Sequence, residues 1–136
     1  MSHIDIDRTV QILVDNTTEL LEAHGYAIVT EDKQLFPYFT PALAALKEGR
    51  LLVFTFAVFP VPGQFEQEVA AIQSILHESV EGNTPESDPR VSFIEKVAVV
   101  LAPDSIEEIA PAGDIHWIGI GSPGELADKL RRELAL

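Results

Sequence analysis

The chain has 136 residues, 46% of them hydrophobic, and carries 22 Asp and Glu against 9 Lys and Arg, a formal charge of −13. That length and apolar content suffice for one core, so a single domain over residues 1–136 is expected. The charge argues against a nucleic-acid grip, which needs cations to displace phosphate counterions, and no Lys or Arg occurs between Arg50 and Arg90.

The remaining class signals are also exclusions. The longest apolar run, Leu51 to Val61 around Thr55, is too short for a membrane-spanning helix. Met1–Val10 lacks the basic-then-apolar order of a secretion signal. No cysteine is present, so there is no disulfide framework and no Cys-based zinc site. These features predict a cytoplasmic protein with no cofactor and no membrane contact. The acidity reads as solubility, as adaptation to a salty host, or as mimicry of DNA charge.

Asp7 is placed to cap a first helix. Val10, Leu13, Val14, Thr17, Leu20, Leu21 and His24 follow at helical spacing, and Gly25 is the natural stop. Tyr26–Thr30 reads as a first strand and Glu31–Lys33 as the turn after it. Phe39–Lys47 reads as a second strand, "KEGR" as a turn and Leu51–Phe59 as a third strand. That third strand is apolar almost throughout, the pattern of a central strand covered on both faces. Its neighbourhood is therefore expected to be packed with apolar side chains.

"PVPG" ends the sheet, because proline cannot donate to a ladder. Gln64–Val80 then reads as a helix with Phe65, Val69, Ile72 and Leu76 on one face. "EGNTPESDPR" is a polar loop, Lys96–Ala102 a fourth strand, Asp104–Ala110 a short helical turn and Asp114–Gly121 a fifth strand. Ser122, Pro123 and Glu125 spell a capping box for a last helix on Leu126, Leu130 and Leu134. The predicted class is α/β, with a mixed central sheet flanked by helices in the order α-β-β-β-α-β-α-β-α.

The hairpin "PALAALKEGRLLVFTFAV", with "LLEAHGYAIV" before it and "VAVVLAP" and "IHWIGIGSPGELADKL" after it, resembles the PD-(D/E)xK nuclease superfamily. The likeness is to its Mrr-type, restriction-endonuclease-like members, and it implies that family's core fold. The family's hairpin has the form P-D-L-I-A, a K-x-G-R turn, then V-V-(E/Q)-V-K. Carried over, its metal-binding Asp falls on Ala42, its Glu or Gln on Thr55 and its Lys on Ala57. In that chemistry the carboxylates hold Mg²⁺ and the lysine supports the nucleophile. Here all three are absent together, so the resemblance implies a disarmed site. Without it, the same stretch reads as an α/β hairpin that never held one.

No other constellation restores catalysis. Glu19 and Glu22 lie off the apolar stripe of the first helix, and Glu31 and Asp32 read as turn residues. Glu66 and Glu68 suit a helix N-terminus. His3, His24, His77 and His116 share no ligand spacing, so no metal site is expected. Gly119, Gly121 and Gly124 match G-x-G-x-x-G in spacing only. Pro123 lacks an amide donor, Glu125 would repel phosphate, and no βαβ unit follows.

The expected function is that of a non-enzymatic protein-interaction or structural module, with a protein partner or a second copy of the chain. The alternatives are an acidic DNA-mimic inhibitor or regulator of a nucleic-acid enzyme, and a divergent metal-dependent nuclease with an unrecognised site.

Overall fold

The apolar run after "KEGR" becomes the middle strand of a five-stranded mixed sheet. The computed structural model describes residues 6–61, 63–83, 85–102 and 114–136. In chain order the elements are α1 (Ile6–Ala23), β1 (Ala27–Ile28), β2 (Leu43–Lys47), β3 (Arg50–Val58), α2 (Gln64–Glu81), β4 (Phe93–Leu101), β5 (Ile115–Ile120) and α3 (Leu126–Leu134). Single 3₁₀ turns at Pro85–Ser87 and Pro123–Glu125 precede β4 and α3. The short helical turn expected at Asp104–Ala110 lies outside the described residues, as does His3.

The strands lie in the order β1-β2-β3-β4-β5. The first two pairings are antiparallel and the last two parallel. Glu48 (φ 49°) and Gly49 (φ 84°) both adopt the left-handed backbone that a two-residue hairpin turn demands, so "KEGR" closes β2 onto β3. Alternation along β3 then feeds two cores. Leu52, Phe54 and Val58 face α1 and α3, meeting Leu13, Leu21, Leu126 and Leu130. Leu51 and Val53 face α2, meeting Phe65, Ile72 and Leu76. A strand buried on both faces has no polar side, which is why its sequence does not alternate.

Several boundaries differ from the sequence reading. α1 begins at Ile6, so Asp7 sits in its first turn rather than at its cap. β1 is two residues long, because Thr30 leaves the ladder. Its hydroxyl accepts from the Ala44 amide at 2.9 Å, where a backbone carbonyl would have paired. The chain from there to β2 is longer than the expected turn and buries Leu35 and Phe36 in the α2-side core. β2 starts at Leu43, after Pro41, and β4 starts at Phe93, three residues before the expected Lys96. The capping box at Ser122 and Glu125 is present as read.

Candidate functional site

The positions assigned by the resemblance come together at one end of the β2–β3 hairpin. Leu43 is the register partner of Phe54, so Ala42 and Thr55 follow directly beyond that pair. Ala57 lies two residues farther along β3, and Thr55 and Ala57 pair with Ala98 and Val100 of β4. Thr55 is 7% exposed, whereas Ala57 is half-buried and Ala42 is exposed, just outside β2. The expected apolar packing therefore holds at Thr55 but not at Ala42. A residue at position 42 reaches solvent because the bend before β2 lifts it off the sheet.

This set does not fit the family's metal. Mg²⁺ takes oxygen ligands, chiefly carboxylates, in tight octahedral geometry. Two methyl groups and one hydroxyl supply neither the charge nor the donor count. Among the described residues, no group of three or more His, Asp or Glu could hold a metal ion.

The other candidates are tied to structural partners or to solvent. Glu19, Glu22, Glu31, Glu66 and Glu68 are exposed. Asp32 is more than a turn residue. Its Oδ1 accepts from the amides of Gln34 and Leu35, its Oδ2 accepts from Arg90 at 2.9 Å, and the Arg90 bond holds its pKa down. His77 pairs with Glu81 on the surface of α2. In the glycine turn, Glu125 Oε2 accepts the amides of Gly121 and Ser122 at 2.7 and 2.8 Å. The amides a phosphate would need are already occupied, and those bonds lower the Glu125 pKa.

The sequence reading passed over a different constellation, at the opposite end of β3. Lys47 and Arg50 are register partners across the turn, so both side chains lie on the α1/α3 face. Lys47 Nζ donates to the His24 carbonyl at the end of α1, at 2.7 Å, and stands 5.6 Å from the Tyr26 ring centre. Arg50 Nη1 donates to the Leu134 carbonyl at the end of α3 and to Tyr26 Oη. Arg50 also pairs with Glu95 of β4. His116 lies 3.3 Å from Glu133 and 3.9 Å from Glu95, which extends the network to β5 and α3. On the other face, Trp117 packs edge-on against Phe65 at 5.6 Å. The signal for the cation pair was present in "KEGR": a two-residue turn makes its flanking residues cross-strand neighbours.

No family model, curated protein or solved structure matches this chain.

Proposed function

We propose that this chain is a restriction-endonuclease-like domain without catalytic residues, acting as a protein-interaction or structural module. The observation that carries the reading is the register of Leu43 with Phe54. It gathers positions 42, 55 and 57 at one end of the hairpin, where the residues are alanine, a buried threonine and alanine. The element order supports the fold part: a helix, an antiparallel three-strand meander, a crossover helix and a strand parallel to the third. The charge of −13 supports a protein rather than a nucleic-acid partner.

The interaction half is tested by affinity capture from native extract, followed by reconstitution with the purified partner. The expected result is a stoichiometric complex, with a second copy of the chain or with another protein. A monodisperse monomer that retains nothing through reconstitution would contradict it.

A further inference from the structure

A pocket of about 400 Å³ opens where the β2–β3 turn meets the C-terminal ends of α1 and α3. Lys47 and Arg50 are the cationic side chains of its lining and Glu48 the anionic one, with the chain end at Leu136 beside them, on a chain whose total is −13. The two cations are not equivalent. Arg50 is neutralised by Glu95. Lys47 is held by a carbonyl and an aromatic face, partners that fix its position without a carboxylate in an ion pair. Its ammonium has three protons and the His24 carbonyl takes one. Tyr26 Oη accepts from Arg50, which leaves the phenol proton for another acceptor. Phe93 stands at the pocket 52% exposed, a large ring left half in solvent.

We infer that this pocket binds a small organic anion, a carboxylate or phosphate attached to a flat apolar group. Lys47 and Tyr26 take the anionic oxygens, and Phe93 covers the apolar body. An exposed ring beside a pre-positioned ammonium favours such a ligand over an inorganic anion, which has no apolar body for Phe93 to cover. The inference is independent of the non-catalytic reading, because the pocket lies at the other end of β3 from Ala42, Thr55 and Ala57.

The test is titration of ¹⁵N-labelled protein, at constant ionic strength, with phenyl phosphate, inorganic phosphate and benzyl alcohol. Phenyl phosphate is expected to give saturable shifts at Tyr26, Lys47, Arg50 and Phe93. Its affinity should be roughly tenfold above either of the other two probes, since benzyl alcohol lacks the charge-assisted contact and inorganic phosphate lacks the ring contact. Lys47→Met should abolish the advantage over benzyl alcohol, and Lys47→Arg should retain much of it. Because Lys47 also caps α1, Phe93→Ala is the second variant. It leaves both helix caps intact and should weaken phenyl phosphate and benzyl alcohol while leaving inorganic phosphate unchanged. Shifts that stay linear to the highest concentration, or equal binding by wild type and Phe93→Ala, would overturn the inference.

Discussion

Lys47 and Arg50 face each other across a two-residue turn, and each donates to the carbonyl end of a different helix. One hairpin end thus ties α1 and α3 to the sheet. Helix C-termini carry partial negative charge and unpaired carbonyls, so cations placed there stabilise them.

The two cations should differ in weight. Arg50→Met leaves the Leu134 carbonyl and the Glu95 carboxylate, 24% exposed, without their donor. A loss of about 2 kcal/mol in urea unfolding is expected. Lys47→Met removes one partly exposed cap and should cost about 1 kcal/mol. Equal losses would contradict the network described around Arg50.

Asn83 should be more sensitive than any surface position. It is 3% exposed, and its Oδ1 accepts the amides of Tyr38 and Phe39 while its Nδ2 donates to the carbonyls of Phe39 and Ser79. Asn83→Ala strands those groups at a cost of about 2–3 kcal/mol. Hydrogen exchange at Tyr38 and Phe39 should accelerate far more than in α1. Unchanged protection there would show that the loop is held by other contacts.

The outer strands of the hairpin region show what the sequence could and could not disclose. The length and burial of β3 were legible, since an unbroken apolar run between a turn and "PVPG" admits few other readings. The capping box at Ser122 was legible because it is a local pattern. The shortness of β1 was not. It depends on the Thr30 hydroxyl reaching Ala44, a pairing fourteen residues apart that no periodicity encodes. The burial of Leu35 and Phe36, and the Asn83 bonds that hold the neighbouring Tyr38 and Phe39, were hidden for the same reason. At the candidate site, the missing charges could be read at positions 42, 55 and 57, but their unequal exposure could not.

Acid should release one link between loops. Arg90 bridges Asp32 and Asp88, and its hydrogen bond lowers the Asp88 pKa from 3.8 to about 2. A depressed carboxylate stabilises the folded state above its unfolded pKa and ceases to do so as pH falls through the folded value. The melting-temperature difference between wild type and Arg90→Gln should therefore be constant above pH 3.8 and shrink toward pH 2. A difference independent of pH over that range would contradict the assignment. Added salt should reduce the difference, since the groups are near solvent.

Restoring the family's residues one at a time should show the difference in exposure. Ala42→Asp places a charge in solvent and should change stability by less than about 0.5 kcal/mol. Thr55→Glu puts a carboxylate at a site 7% exposed and should cost several kcal/mol, on the order of 3 or more. Thermal melts of the two variants check this, and a tolerated Thr55→Glu would mean that the end of β3 opens to water.

The most direct measurement is cleavage of plasmid and single-stranded DNA by the purified wild-type chain with Mg²⁺ or Mn²⁺. With alanine, threonine and alanine at positions 42, 55 and 57, both substrates should remain intact at protein excess. Metal-dependent cleavage that follows the protein through successive columns, and is lost on mutating Asp32 or Glu31, would contradict the account.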